Sequence, residues 1–472
     1  MKASPVSISS FALALLITGS IDSLRNLPAT ALFGSLLPFF FCLAAILFLI
    51  PVSFVSAELS ANLPGEGGIF AWVDRALGQY SGMVAIWLLW INTMIFFPTI
   101  LSFIASTAVY FLDPQLANNR YFLISVILSV IWILTLINLR GLKLSAKFAS
   151  VCAIIGMVIP MTFIMLLALA WLLLGHSSQL HFSTETLIPS LHQSNSWVSL
   201  TAIITSFLGM ELATVHVAHI KNAKQKFPRA LMLSMIFIII TMLFGSLAIA
   251  VVLPAKQINL VAGLMQAFGN FLAAYHMSFL MPILTLMIVI GSIGGMINWL
   301  ISPARGLQQA GNRGFLPKTF CKANKADMPS NILLLQAILV SMFCLVFLLM
   351  PSINASYWLL TDLSTELYLL MYILMFVSAF RLRKFYRKDT EAFKVRGKYS
   401  LFVLCGLGLA GCTVATVIGF IPPDGITLSM TIPYPEIFAM GLLIMILPLL
   451  GLWFYKAKQD AESQVKDSSS EK

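Results

Sequence analysis

The chain alternates between long apolar stretches and short polar or turn-rich breaks. The apolar stretches approach or exceed the roughly 20 residues that a helix needs to cross a bilayer. Their apolar positions are continuous and do not alternate with polar ones, which predicts helices and not strands. Twelve membrane spans, numbered here in chain order, are predicted at residues 8–33, 36–59, 79–111, 121–139, 147–175, 196–220, 229–253, 270–308, 330–350, 355–380, 399–421 and 434–455.

The composition supports an all-α polytopic membrane protein. Apolar residues make up 59% of the chain, charged residues make up 10%, and the mean hydropathy is +0.93, values outside the range of soluble domains. No nucleophile, base and third group share a plausible spacing, and the six His and six Cys residues show no metal-ligand pattern. We therefore expect neither an enzyme nor a metal site nor a bound cofactor.

The distribution of basic residues predicts the orientation in the membrane. With the N-terminus inside, 26 of the 29 Lys and Arg residues fall in cytoplasmic segments, Arg120 and Lys256 fall outside, and Arg25 lies within span 1. Basic residues in short loops are retained in the cytoplasm, so both termini are predicted there. Residues 1–456 then form a single transmembrane domain and residues 457–472 a polar cytoplasmic tail. The basic loops face anionic lipid and lack interleaved aromatic residues, which excludes a nucleic-acid partner.

The segment TGSIDSLRNLP, residues 18–28, interrupts span 1 with polar residues. Charged groups inside a span cost roughly 2.5 to 3.5 kcal/mol each, so they need a partner or a water-filled cavity. Asp22 and Arg25 are three residues apart and would pair on one face of an intact helix. Pro28 instead favours a helix that is interrupted after Gly19. The peptide N–H and C=O groups left there without helical hydrogen bonds would bind the charged ends of a zwitterion. Both interpretations stay open. In the second, the candidate substrate ligands are Gly19, Ser20, Asp22, Ser23, Arg25 and Asn26.

Span 6 carries a second interruption in TSFLGMELATVHVAH, where Gly209 precedes Glu211. Many transporters are built from inverted repeats whose broken helices meet at the substrate site. Spans 1 and 6 are five apart, which predicts a five-plus-five inverted repeat of residues 8–175 and 196–380, with two additional helices at 399–455. Close helix packing is the alternative role for Gly209.

Two further spans carry polar candidates. In span 10, Asp362 and Glu366 lie at helical spacing, either near the outer mouth or along the pathway, and Tyr368 and Tyr372 follow one turn apart. In span 8, the small residues of GSIGGMINW either let span 1 approach or serve plain packing. Asn298 in the same stretch can offer a hydrogen bond to a substrate.

Two loops resemble the signatures of a known transporter superfamily. AELSANLPGEGGIFAWVDRALG, residues 57–78, and SPARGLQQAGNRGFLPKTFCKANKADMPSNILLLQ, residues 302–336, are similar to the two inner-loop signatures of the amino acid/polyamine/organocation superfamily. Over nearly its whole length the chain resembles the bacterial glutamate/GABA antiporter family, through LIPVSFVSAEL, GGIFAWV, SFLGMELATVHV and INLVAGLMQAF. The resemblance implies a LeuT-type fold, the bacterial inner membrane, and exchange of one amino acid for another or for its decarboxylation product.

The resemblance also implies roles for particular residues. In that family the opened parts of spans 1 and 6 hold the substrate, Glu211 takes the position of the span 6 acid, and Tyr368 and Tyr372 take those of the span 10 tyrosines. The chain departs from the family pattern at Gly295, where an acid is expected, and at residues 25–27, where Arg-Asn-Leu stands in place of an acid and two tyrosines. About 17 residues follow Tyr455, so we do not expect the long C-terminal segment that plugs the inner mouth of the acid-resistance exchanger.

These observations together predict an amino acid antiporter that binds its substrate between spans 1 and 6. Arg25 would favour ligands with negative charge or stand in for a coupling cation. The alternatives are a proton-coupled amino acid symporter and, more remotely, a transporter-like sensor. Neither the identity of the substrate nor the oligomeric state follows from the sequence. The candidate proton carriers are Glu211, Asp22, Asp362 and Glu366.

Overall fold

The computed structural model describes residues 14, 17–18, 23–63, 68–141, 151–152, 154–183, 187–189, 194–211, 223–385, 393–397, 399–423 and 432–470. These residues form α-helices, short 3-10 and π segments and connecting loops, with no strand among them. The all-α class predicted from the sequence is therefore confirmed.

Ten helices in the described part of the chain are long and apolar enough to cross a membrane. They correspond to predicted spans 2 to 5 and 7 to 12. Large apolar side chains such as Ile240 on span 7 and Leu443 on span 12 point outward, which suits contact with lipid. The ten helices are Gly34–Asn62, Gln79–Phe111, Arg120–Leu139, Ile154–Leu173, Lys226–Val252, Ser278–Phe315, Ser330–Leu349, Ile353–Phe385, Ser400–Ile418 and Tyr434–Glu462.

The beginning of span 8 differs from the prediction. The predicted span starts at residue 270, whereas the structure has a separate helix, Gly263–Ala274, and the spanning helix begins only at Ser278. The turn between them contains His276, whose φ of 57° is rare for a residue other than Gly. Residues 275–277 include neither Gly nor Pro, the residues that usually form such turns. Packing against the surrounding structure must therefore stabilise this backbone conformation.

The last helix continues past its predicted end at residue 455. Span 12 consists of two consecutive helices, Tyr434–Ile446 and Pro448–Ser470, and the second extends through most of the predicted polar tail. Lys456 and Asp460 form an ion pair at 2.6 Å one turn apart, which stabilises the helix there. Lys456 also lies 5.8 Å from the centre of the Phe315 ring, so the first turn beyond the span packs against the end of span 8.

Span 3 is a largely buried helix that packs along spans 8 and 10. Beside it, span 5 approaches span 8 closely, because a Cβ added to Gly156 would lie 2.2 Å from the Gly291 Cα. Gly294 has Cys152 of span 5 as its nearest neighbour. The nearest described neighbours of these two span 8 glycines are therefore on span 5. Paired glycines allow this crossing because neither helix presents a side chain there.

Gly156→Ala is expected to lower the stability of the protein, because the added methyl group must separate two backbones at their closest approach. Overpacking of this kind costs about 1–3 kcal/mol. The matched control is Gly406→Ala on span 11, where an added Cβ meets no atom within 4 Å. Melting temperatures in detergent compare the two variants. A melting temperature of Gly156→Ala equal to or above that of the control would contradict the close crossing.

Candidate functional site

Span 1 is interrupted where the sequence predicts it. Ser23 is extended, with φ −147° and ψ 120°, and a 3-10 turn, Leu24–Asn26, precedes the helix Leu27–Ala31. Pro28 lies in the first turn of that helix, where its missing N–H removes no helical hydrogen bond. The backbone at residues 23–26 is thus the described part of the predicted opening. Three predicted ligands, and with them the predicted ion pair to Arg25, fall outside the described residues: Gly19, Ser20 and Asp22.

Span 6 is interrupted at residues 207–209. The helix Ser194–Ser206 ends in a tight turn, in which the N–H groups of Phe207 and Leu208 donate to carbonyls three residues earlier. Gly209 then adopts a φ of 95°, which residues with a side chain rarely take. Glu211 lies in the first helical residues after this turn. The predicted second break is therefore present.

A cavity of about 140 Å³ lies between the two interruptions. Its volume is comparable with the roughly 150 Å³ of an engineered core cavity that binds benzene, so a small molecule fits. Its walls include residues 23–26 from the first interruption, Leu208 from the second, and Thr205 from the helix just before the second. Both broken segments therefore face one cavity. The walls are completed from spans 3, 5, 8 and 10 by residues that include Asn92, Phe96, Thr99, Met157, Ser292, Trp299, Thr361, Ser364 and Tyr368.

Arg25 is the one side chain with a formal charge among the described residues that line the cavity. It is buried, its guanidinium lies 4.4 Å from the centre of the Phe96 ring, and its Nη1 donates to the Thr99 hydroxyl. Within the described part of the chain, its Nε has no hydrogen-bond partner and no carboxylate lies within 4.0 Å. The Tyr357 hydroxyl donates to the Arg25 carbonyl at 3.2 Å and supports the backbone there. A buried guanidinium with an unused Nε–H donor suits an anionic ligand group.

Several lining residues are absent from the sequence predictions. Ser364 of span 10 donates to Asn92 Oδ1 of span 3 at 2.6 Å, and both residues line the cavity. Phe96 stacks on Trp299 with 5.4 Å between ring centres and forms an aromatic wall. A lone Asn in the apolar stretch LLWINTMIFFP is a signal that identifies Asn92 as a candidate. The aromatic residues carry no comparable signal, because aromatic side chains are common throughout the spans.

Glu211 lies behind the cavity wall and joins three other predicted residues. Its Oε1 accepts a hydrogen bond from the Tyr368 hydroxyl at 2.6 Å, and its Oε2 accepts one from the Tyr372 hydroxyl. The Tyr372 oxygen in turn accepts from the Gly209 N–H at 3.0 Å. Of these side chains, Tyr368 lines the cavity. The network therefore ties the interruption of span 6 to span 10.

The remaining predicted residues lie elsewhere. Asp362 accepts a hydrogen bond from the Tyr434 hydroxyl of span 12 at 2.6 Å, and it lines a second cavity of about 20 Å³ instead of the main one. Glu366 packs near Gly419 of span 11. Asn298 lies in the helix of span 8, between residues that line the main cavity, but its side chain is outside the described part.

The polar groups of the cavity suit an organic ligand. They are hydroxyls, side-chain amides and one guanidinium, set among aromatic and aliphatic side chains. Among the described residues, no group of three or more His, Cys, Asp or Glu side chains could hold a metal ion. The geometry therefore favours reversible binding of a small molecule with polar ends.

Comparison with known proteins gives consistent matches over most of the chain. The sequence profile of the amino acid permease family matches residues 8–447. An uncharacterised transporter of Legionella pneumophila is 34% identical over 453 residues, which cover 96% of this chain and 97% of the relative. A glutamate/gamma-aminobutyrate antiporter of Lactococcus lactis is 29% identical over 453 residues, covering 94% and 90%. A probable agmatine/putrescine antiporter of the same species is 26% identical over 375 residues, covering 76% of each chain.

Tyr372→Phe is expected to destabilise the protein markedly. The change removes a donor to Glu211 and the acceptor of the Gly209 N–H, and loss of a partner costs a buried polar group about 1–3 kcal/mol. Tyr121→Phe is the matched control, because the Tyr121 side chain is 76% exposed. Melting temperatures in detergent measure both effects. Equal shifts for the two variants would contradict a structural role for this network.

Proposed function

Because the chain belongs to the amino acid permease family, we propose that it is an amino acid antiporter that works by alternating access. The relatives named for glutamate/gamma-aminobutyrate and for agmatine/putrescine are both antiporters, which supports exchange. The family consists of transporters, and the ten apolar helices agree with transport across a membrane. The proposed partners are the lipid bilayer and a small amino acid substrate.

The proposed architecture has twelve spans, with residues 8–175 and 196–380 as inverted repeats and two further helices at 399–455. The interruptions at residues 23–26 and 207–209 support it, because they fall in spans 1 and 6, which would occupy matching positions in the two repeats. The excess of basic residues in alternate loops supports cytoplasmic termini in a bacterial inner membrane.

One observation carries the proposal: the cavity between the two interrupted segments contains a buried guanidinium and no other formal charge among its described lining residues. In such a water-poor site Coulomb attraction is strong, so a substrate carboxylate binds at Arg25. The substrate amino group then faces the backbone carbonyls that the interrupted helices leave free. Alternating access follows when the interrupted spans move against the spans that form the other walls.

The positive charge of Arg25 also favours one of the substrate classes named for the relatives over the other. A polyamine such as putrescine would bring two positive charges close to the guanidinium, which is unfavourable at low dielectric. An amino acid with an acidic side chain instead supplies a second carboxylate to the same cation. We therefore propose an acidic amino acid as one substrate, exchanged for another amino acid or for its own decarboxylation product.

Exchange predicts that transport depends on substrate on both sides of the membrane. Proteoliposomes loaded with an acidic amino acid are expected to accumulate the labelled form by counterflow, whereas empty proteoliposomes take up almost none. A panel of acidic, neutral and basic amino acids identifies the substrates. Uptake into empty proteoliposomes that follows an imposed pH gradient would contradict exchange and indicate a proton-coupled symporter.

Arg25→Ala is expected to weaken transport of acidic substrates by at least about thirtyfold, because removing one partner of a buried charge pair costs about 2–5 kcal/mol. Arg25→Lys keeps the charge but loses the planar fork, so its transport should be intermediate. Arg381→Ala is the control, since Arg381 is exposed at the end of span 10. Michaelis constants for acidic and neutral amino acids measure the effect. Unchanged selectivity in Arg25→Ala would rule out its proposed role.

A further inference from the structure

Span 10 carries two buried carboxyl groups outside the substrate cavity. Asp362 is 5% exposed and Glu366 is 1% exposed, and they lie one helical turn apart on the same face. Both face Gly419 of span 11, where an added Cβ would lie 3.6 Å from Asp362 Oδ1 and 3.4 Å from Glu366 Oε2. Because Gly419 has no side chain, the two carboxyl groups share one small space between the helices.

The surroundings of the pair contain few groups that stabilise negative charge. The Tyr434 hydroxyl of span 12 donates to Asp362 Oδ2 at 2.6 Å. Neither oxygen of Glu366 makes a hydrogen bond of ordinary geometry to a described residue, although the Thr416 hydroxyl of span 11 lies beside it. No Lys, Arg or His among the described residues lies within 4.0 Å of either carboxylate. The other titratable neighbours are the Cys412 thiol of span 11 and the Tyr357 hydroxyl of span 10.

This arrangement favours binding of a proton. Burial of an ionised carboxylate without a cation is costly, and a second carboxylate one turn away adds repulsion between like charges. One proton bound by either carboxylate removes the repulsion between them and lowers the buried charge of the pair from two to one. Glu211 differs, because each of its oxygens accepts a hydrogen bond from a tyrosine, which suits a fixed carboxylate that positions span 6 against span 10.

A small cavity lies between Asp362 and the substrate cavity. Asp362 lines this space of about 20 Å³, and Asn26, Thr205 and Thr361 line both cavities. The space is large enough for one water molecule, which needs roughly 10–15 Å³, and its hydroxyl and amide groups can bind that water. Asp362 therefore shares a cavity with Asn26 of the span 1 interruption and with Thr205 of span 6. A change in the charge of Asp362 acts close to both.

We propose that Asp362 and Glu366 form a proton-binding site, distinct from the substrate cavity, whose protonation controls the exchange cycle. One carboxylate takes the proton from water, and the pair returns it to water when the helices rearrange. The bound proton changes the electric field at the residues that line both cavities. It also changes the contacts of span 10 with spans 11 and 12. The control of transport rests on the proposed exchange function, whereas the binding of the proton does not.

Counterflow rates in proteoliposomes across a range of pH test the control of transport. In the wild-type protein a rate set by one proton changes by up to about tenfold per pH unit. In the isosteric variants Asp362→Asn and Glu366→Gln the counterflow rate should change by less than about twofold per pH unit. Glu436→Gln is the matched control, because Glu436 is exposed two residues after Tyr434, and it should follow the wild type. A wild-type rate independent of pH, or a wild-type profile in both amide variants, overturns the proposal.

Infrared difference spectra of the full chain between acidic and basic pH test proton binding without transport. The wild type and Glu436→Gln should show the carbonyl band of a buried protonated carboxyl group, and Asp362→Asn and Glu366→Gln should each lose or shift it. A band that is the same in all four proteins overturns the proton site. If the wild type shows no counterflow with any amino acid, the exchange function fails, while the infrared result still decides the proton site.

Discussion

The hydrocarbon core of a membrane cannot form hydrogen bonds with peptide groups, and the rest of this structure follows from that constraint. In the described part of the chain, ten spans satisfy their backbones mainly as helices. At residues 23–26 and 207–209 the helical pattern fails, and in both places the chain supplies a cavity and a tyrosine hydroxyl. Tyr357 donates to the Arg25 carbonyl, and Tyr372 accepts from the Gly209 N–H. Contacts with other helices of the bundle therefore stabilise both interruptions.

Span 10 holds both interrupted segments in place. It supplies the two tyrosines that bind them, part of the wall of the substrate cavity and the buried carboxyl pair. One rigid helix thus contacts the parts proposed to bind substrate and the parts proposed to bind protons. A shift of this helix relative to the interrupted spans changes both sites together, which is the physical requirement for coupling them.

The features predicted correctly from the sequence have local causes. Spans 2 to 5 and 7 to 12 follow from hydropathy, and the two breaks follow from Pro28 and Gly209, whose backbone preferences act within a few residues. The cost of a charge inside a span makes Arg25 a candidate from the sequence alone, and the structure places it in the cavity wall, where its proposed role stays a prediction. Each of these signals is contained in a short stretch of chain.

The features that the sequence does not reveal depend on packing between distant segments. Asn92 and Ser364 are 272 residues apart, and only the crossing of spans 3 and 10 makes them partners. The contact of Gly156 with Gly291 likewise needs the relative placement of two helices. The sequence does not indicate the turn at His276, because packing and not residue type stabilises its left-handed backbone conformation.

A cryo-electron microscopy structure of the protein with an acidic amino acid bound tests the central claim most directly. The account predicts ligand density between residues 23–26 and Thr205 to Gly209, with a carboxylate within hydrogen-bonding distance of Arg25. Ligand density elsewhere, together with unbroken helix through both interruptions, would contradict it.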